Sequence, residues 1–223
     1  MLVMIGAFAV RSAAGFGAVL IAMPMLAFVL PVSTAVSVTT ALTAITSVHQ
    51  LGRDWRRVAW RHFAIMASYS AIGIGLGFYF IQMLDEDALR RSLGVFLIFY
   101  SIYALATAKA SRTVSARWRG ALAAGTGVAG GLLGTLFGAG VGPIYVVYFN
   151  ALRLEKEIFR VTMSTVVLLG GAARIAGYAS LGFYERSSIA LIAIGLPLVV
   201  VGSWLGDGIQ GSVSDALRAL KVA

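Results

Sequence analysis

The sequence predicts an all-α polytopic membrane protein with about seven transmembrane helices in two homologous halves. Of its 223 residues, 59% are hydrophobic and 12% are charged, and the mean hydropathy is +0.89. Soluble domains are about 45–50% apolar with about 25% charged residues. The charges fall into short islands between long apolar runs, and short strings of the first half recur in the second. A soluble domain and a disordered chain are therefore excluded. Because the chain has no cysteine, a disulfide scaffold is excluded as well.

Each uncharged run predicts one helix. The run 62–84 has 23 residues without charge, which at 1.5 Å per residue covers a hydrocarbon core of about 30 Å. The same reasoning along the chain places helices near 13–30, 33–51, 62–84, 92–108, 120–149, 161–183 and 187–208.

The islands between the helices predict the orientation. The islands 53–61 and 109–119 carry four basic residues each, whereas the island 85–91 is strongly acidic. Short cytoplasmic loops are enriched in Lys and Arg, so the two basic islands are expected inside and the acidic island outside. The net charge of +9 then reflects loop bias in a cell (inner) membrane protein with lipid as its partner, rather than a nucleic-acid interface.

Repeated strings indicate an internal duplication. Gly15-Phe16-Gly17 recurs 123 residues later as Gly138-Ala139-Gly140, and Asp87-Ala88-Leu89-Arg90 recurs as Asp215-Ala216-Leu217-Arg218. We expect a first repeat at 1–108, a cytoplasmic basic linker at 109–119 and a second repeat at 120–223 that apparently lacks its last helix. Duplicated halves with a substrate site between them are typical of secondary transporters.

Glycine motifs predict helix breaks near mid-membrane. The run 120–150 holds nine glycines and ends in Gly138-Ala139-Gly140-Val141-Gly142-Pro143, a poor helix interior. A break exposes free N–H groups where the helix dipole favours an anion. Gly15 and Gly17 predict a weaker helix break of the same kind. For most other glycines, such as Gly73 and Gly77 or Gly127 and Gly131, close helix packing is the better explanation.

Three motifs resemble the sulfite exporter TauE/SafE family. They are Gly15-Phe16-Gly17-Ala18 followed by Pro24, Gly138-x-Gly140-x-Gly142-Pro143, and Phe159-Arg160-x-Thr162. The resemblance covers nearly the whole chain. It implies a membrane transporter with two related halves that moves sulfite, thiosulfate, sulfonates or related small anions. It also adds to the functional interest of Arg160.

Polar residues inside the predicted spans are the candidate anion ligands. Arg174 lies midway along 161–183 with no acid within ten residues, and it would contact either the substrate or carbonyls freed by the break. Arg160 either contacts substrate or snorkels to the headgroups. Thr39 and Thr162 occupy related places in the two halves, although a hydroxyl of this kind often bonds the carbonyl one turn back. The predicted substrate-binding residues are Gly15, Gly17, Thr39, Gly138, Gly140, Gly142, Pro143, Arg160, Thr162 and Arg174.

The favoured function is a secondary transporter, an exporter of a small anion such as sulfite or an organosulfonate, that works by alternating access between the repeats. We expect no catalytic residue, metal or cofactor. One alternative is an enzyme acting on a lipid phosphate, because Leu30-Pro31-Val32-Ser33-Thr34 resembles a segment of undecaprenyl pyrophosphate phosphatases, although no acid precedes Asp54. Another is a non-transporting subunit completed as a homodimer. Whether 120–149 crosses the membrane or re-enters is left open.

Overall fold

The structure is a computed structural model that describes residues 18–107, 118–138 and 141–197, together with 199 and 201. Every regular element in these ranges is helical. A short 3-10 helix, Trp55–Arg57, joins the second and third α-helices. The α-helices are α1 (Ala18–Val29), α2 (Val32–Asp54), α3 (Trp60–Met83), α4 (Glu86–Thr107), α5 (Arg119–Phe137), α6 (Val141–Ala151), α7 (Lys156–Ser180) and α8 (Arg186–Pro197).

Three of the described helices are long and apolar enough to cross a membrane, namely α3, α5 and α7. Two shorter apolar stretches, Val32–Ile45 in α2 and Arg186–Pro197 in α8, accompany them. The all-helical, membrane-embedded class predicted from the sequence is therefore confirmed. The total of seven spans and the division into two repeats stay predictions.

The acidic island 85–91 is the start of a helix rather than a loop between helices. The sequence placed a helix at 92–108, but α4 begins at Glu86. Asp85 caps this helix, because its side-chain oxygen accepts a hydrogen bond from the Ala88 N–H at 2.8 Å. Glu86 and Asp87 then lie in the first turn, where the helix dipole favours negative charge. The acidic residues therefore belong to the first turn of a helix and its cap.

Glycines hold α3 and α5 in close contact along their length. Gly127 lies against Tyr69, Gly131 lies against Ser70 and Gly73, and Gly77 lies against Thr135. The residue numbers of the contacting pairs increase together along the two helices, so α3 and α5 run parallel. A Cβ added at Gly73 would overlap the carbonyl oxygen of Val128. These glycines therefore serve close packing, as the sequence indicated.

The α7 helix runs parallel to α3 and α5. Near its start, the Thr162 hydroxyl accepts a hydrogen bond from the Ala59 N–H at 3.0 Å, just before α3 begins. Near its end, Gly177 lies against the ring of Phe78, in the last two turns of α3. The α2 helix packs beside α7, where a Cβ at Gly171 would meet the Cβ of Ala44 at 3.4 Å.

The bundle has two ends of different charge. The basic end carries the starts of α3, α5 and α7, and an ion pair between Arg57 and Glu157 joins the first and third of these. The acidic end carries the start of α4, whose Glu86 accepts a hydrogen bond from the Val32 N–H at the start of α2. At that end burial raises the pKa of Tyr184 to about 12, so its phenol stays protonated and donates to the Ser37 carbonyl at 3.3 Å.

Among the described residues, two larger apolar clusters lie one toward each end of the bundle, and a smaller third cluster joins Val38, Leu42 and Val199. The cluster toward the acidic end includes Met23, Val36, Phe137 and Tyr178. The cluster toward the basic end includes Met66, Tyr145, Tyr148, Phe149 and Met163. The boundary between the two larger clusters lies near the middle of α3, between Met66 and Ile81, and the candidate site is found there.

Candidate functional site

The helix predicted at 120–149 is interrupted at the glycine motif. The α5 helix ends at Phe137 and α6 begins at Val141. Gly138 closes α5 in a left-handed conformation, with φ 60° and its N–H bonded to the Gly134 carbonyl at 3.0 Å. Such a conformation is accessible to glycine and strained for other residues. The break predicted from the sequence is confirmed, and the single helix is corrected to two.

The α6 helix turns back toward the basic end. Tyr145 lies with its ring against Gly130 of α5, and one turn later the Tyr148 hydroxyl lies 3.0 Å from Nδ1 of His62, at the start of α3. The α6 helix is 11 residues long, about 16 Å at helical rise, so it spans about half of a bilayer core. The segment 120–149 therefore re-enters, and the loop after α6 lies at the basic end.

The depth of the break follows from the packing of α5 on α3. Gly77 of α3 lies against Thr135, so Gly138 lies alongside the last turn of α3. The turn is thus nearer to the acidic end than to the middle of the bundle, which corrects the sequence-based prediction of a break near mid-membrane. The first residues of α6 lead from this turn into the bundle, and Tyr145 is the first of them to reach the middle.

Arg174 is a buried cation without an ion-pair partner. Its side chain is 3% exposed, and it forms no salt bridge with any described carboxylate. Its Nε and Nη1 atoms are buried and have no hydrogen-bond partner among the described residues. A buried charge in this condition is costly unless a counter-charge joins it. The side chain therefore has both the charge and the free donors to receive an anion.

The guanidinium of Arg174 lies between the two apolar clusters. It is close enough to interact electrostatically with the hydroxyls of Tyr145 in α6 and Tyr178 in α7, one from each cluster. The side chain folds back along α7, since a Cβ at Gly170 would meet Nη2 at 3.8 Å. Tyr145 in turn bonds Ser70, which is near the middle of the 24-residue α3. The charge is therefore held close to mid-depth.

The two tyrosines beside Arg174 are held differently. The Tyr178 hydroxyl donates to the carbonyl of Thr135 at 2.6 Å, in the last turn of α5. The Tyr145 hydroxyl is bonded to the Ser70 hydroxyl, and Ser70 also donates to the Gly127 carbonyl at 3.3 Å. Tyr178 therefore fastens α7 to α5 through the backbone, whereas Tyr145 joins α6 to α3 through two hydroxyls.

The threonines predicted as related ligands lie in different surroundings. Thr39 is fully buried beside the break, where a Cβ at Gly138 would come within 2.9 Å of its hydroxyl. That hydroxyl donates to the Ala35 carbonyl at 2.7 Å, the alternative that the sequence had left open. Thr162 lies at the basic end and anchors the start of α3. The structure therefore brings Thr39 to Gly138 and keeps Thr162 apart from both.

The remaining predicted ligands lie in different parts of the chain. Arg160 is half-buried in the second turn of α7, toward the basic end, and Gly142 is half-buried in the first turn of α6 with Pro143 after it. Gly15, Gly17 and Gly140 lie outside the described residues. The binding role of all ten residues stays a prediction.

Sequence reasoning missed Tyr145 and Tyr178, which interact with Arg174, and Ser70, which bonds Tyr145. Two of them lie in uncharged or glycine-rich runs, where a single hydroxyl gives no distinctive sequence signal. The available signal was the position of Tyr145 in the second turn after Gly142-Pro143, on a helix too short to cross. His62, which pairs with Tyr148, was missed as well.

An opening is present at the basic end of the bundle, away from Arg174. A cavity of about 320 Å³ is present at the basic end, beside the loop after α6. It is lined by Phe149, Asn150, Arg153, Leu154 and Phe159. Among the residues with described positions, no cluster of His, Asp or Glu could hold a metal ion. The chemistry of the mid-depth site is therefore that of one cation and several hydroxyls.

Comparison with known proteins supports the same reading of the motifs. The model of the family described as "Sulfite exporter TauE/SafE" matches residues 1–223, which is the whole chain. No curated protein and no solved structure gives a significant match. The resemblance inferred from the glycine motifs is confirmed, and the chain is a member of the TauE/SafE sulfite exporter family of membrane transporters.

Proposed function

We propose that this protein is a secondary transporter, an exporter in the inner membrane, that moves a small sulfur oxyanion or organosulfonate by alternating access. Family membership supports a transporter of sulfur anions. The observation that carries the proposal is Arg174, a buried guanidinium with free donors and no carboxylate partner among the described residues, next to a helix of only 11 residues. Intramembrane charges of this kind mark substrate pathways in membrane proteins.

The anion would bind between Arg174 and α6. The first-turn N–H groups of α6 have no partner within their own helix, and the positive pole of its dipole lies at the same end. Arg174 would supply the balancing charge, and Tyr145 lies within reach of both. Broken helices whose termini face the substrate are a recurring device in secondary transporters.

Access would alternate by movement of one half against the other, with the turn at Gly138 as the flexible point in the second half. The α6 helix contacts α3 and α5 through Tyr145, Ser70 and Gly130. A shift of α6 relative to these helices would open the site toward one end and close it toward the other. The basic end would face the cytoplasm by the distribution of Arg and Lys.

Uptake into proteoliposomes tests the proposal. Radiolabelled sulfite, thiosulfate and sulfate would be offered to wild type, to Arg174→Gln and to Arg186→Gln, an exposed arginine at the acidic end that serves as the matched control. We expect Arg174→Gln to lower uptake at least about tenfold, which corresponds to about 1.4 kcal/mol, and Arg186→Gln to leave it intact. Equal uptake by all three proteins would refute the site, and Arg160→Gln would then test the second predicted cation.

A further inference from the structure

We propose that the site at Arg174 selects a singly charged oxyanion, with Arg174 supplying the whole countercharge and Tyr145 supplying a neutral hydrogen-bond donor. This inference rests on the proposed transport function and names the charge class of its substrate. It predicts sulfonates and hydrogensulfite as substrates in preference to the doubly charged sulfate and thiosulfate.

The charges near the site are few. Arg174 is the one charged side chain that is buried among the described residues. Every described carboxylate whose side chain is placed lies toward an end of the bundle, at Asp85, Glu86, Asp87, Glu155, Glu157 and Glu185. Among the described residues, the hydroxyls of Tyr145 and Tyr178 also interact electrostatically with Arg174, and both are neutral donors. The part of the site that the structure describes therefore offers one positive charge.

One positive charge balances one negative charge. A monoanion beside Arg174 makes a neutral pair, which an apolar interior tolerates when its donors and acceptors are satisfied. A dianion in the same place leaves one negative charge uncompensated and also loses more hydration on entry. The difference between the two anions is therefore electrostatic and does not depend on their shape.

Tyr145 is the hydroxyl that is free to change partner. Ser70 can donate to the Gly127 carbonyl, and in that arrangement the Tyr145 O–H donates to Ser70. When an anion arrives, the Tyr145 O–H can turn to it while Ser70 keeps its carbonyl. Tyr178 lacks this freedom, because its O–H is given to the Thr135 carbonyl at 2.6 Å. Hydroxyls that bond each other can separate at lower cost than a hydroxyl that satisfies a buried carbonyl.

Methanesulfonate and sulfate are suitable probes, because both are tetrahedral and differ by one charge. Uptake of each would be measured in proteoliposomes over a range of concentrations, with wild type, Arg174→Lys, Tyr145→Phe and Tyr79→Phe. Tyr79 is 56% exposed on the outer face of α3, so Tyr79→Phe is the matched control for loss of a phenol hydroxyl. Thermal unfolding of each variant confirms that it is folded.

We expect wild type to favour methanesulfonate at least about tenfold in kcat/KM, a difference of about 1.4 kcal/mol. Arg174→Lys should keep that preference, because the charge is unchanged. Tyr145→Phe should lower kcat/KM about tenfold or more for both anions, as expected for the loss of a hydrogen bond to a charged group. The ratio of the two kcat/KM values should stay unchanged. Tyr79→Phe should match wild type.

The outcomes separate this inference from the proposed function. Equal transport of sulfate and methanesulfonate that still depends on Arg174 would overturn the charge selection alone. Tyr145→Phe indistinguishable from Tyr79→Phe would overturn the role of the neutral donor. Uptake of both anions that persists in Arg174→Gln would overturn the proposed site and this inference together.

Discussion

The contact between α3 and α5 allows a prediction with an internal control, the pair Gly73→Ala and Gly75→Ala. A Cβ at Gly73 would overlap the Val128 carbonyl oxygen and lie 2.9 Å from the Leu132 nitrogen, whereas a Cβ at Gly75 meets nothing within 4 Å. The atoms facing Gly73 belong to the backbone, so no side chain can rotate away. The two helices must move apart instead.

The expected energies have opposite signs. Overpacking costs about 1–3 kcal/mol, and because backbone must move at Gly73 we expect a value toward the upper end. Alanine in place of a helical glycine gains about 0.5–1 kcal/mol where nothing opposes it, which is the expectation for Gly75→Ala. The two variants should therefore differ by about 2–3 kcal/mol, since the propensity gain also applies at Gly73 and cancels in the comparison.

Unfolding in detergent micelles with added denaturant, followed by tryptophan fluorescence, measures the difference. Both substitutions are Gly→Ala on the same helix, two residues apart, so effects of composition and detergent cancel. Equal unfolding midpoints for the two variants would mean that α3 and α5 are not in backbone contact at Gly73, and the packing argument would fail.

Three further predictions follow from single positions. Arg174→Met should raise the unfolding free energy of the anion-free protein by about 2 kcal/mol. It removes two buried donors without partners, each of which lowers the stability of the folded state by about 1 kcal/mol or more. A lower stability of the variant would mean that Arg174 has partners. Gly138→Ala should lower it by about 1–3 kcal/mol through strain at φ 60° and crowding of Thr39, and an unchanged unfolding midpoint would contradict that backbone geometry. In this cysteine-free chain, Glu155→Cys should react with an impermeant thiol reagent from the same side as Arg56→Cys, and Asp87→Cys from the other side; labelling of positions 155 and 56 from opposite sides would contradict the re-entrant α6.

Much of the fold could be predicted from charge and glycine alone. The uncharged run 62–84 corresponds to α3, and the motif from Gly138 to Pro143 marks the end of α5 and the start of α6. Both are local effects: apolar length sets a span, and a left-handed glycine ends a helix. Arg174 could also be predicted, because an isolated charge in an apolar run stands out in any sequence.

The direction of α6 could not be predicted, because it depends on contacts between distant residues. A glycine-rich break permits either crossing or return. The return is stabilised by Tyr145, whose ring lies on Gly130 and whose hydroxyl bonds Ser70, 75 positions away in the chain. For the same reason Thr39 and Thr162 look equivalent by sequence but have different partners, one a carbonyl of its own helix and the other the N–H of Ala59.

The return of α6 also has an electrical consequence for the bundle. Because α4 and α6 each bring the chain back to the basic end, α3, α5 and α7 all start there and point the same way. The dipoles of these three helices add, although α2, α4 and α6 point the opposite way and offset part of the sum, and their positive poles lie at the same end as arginines such as Arg61 and Arg119. Positive charge gathered at one end raises the local concentration of small anions there, an attraction that rising salt would weaken.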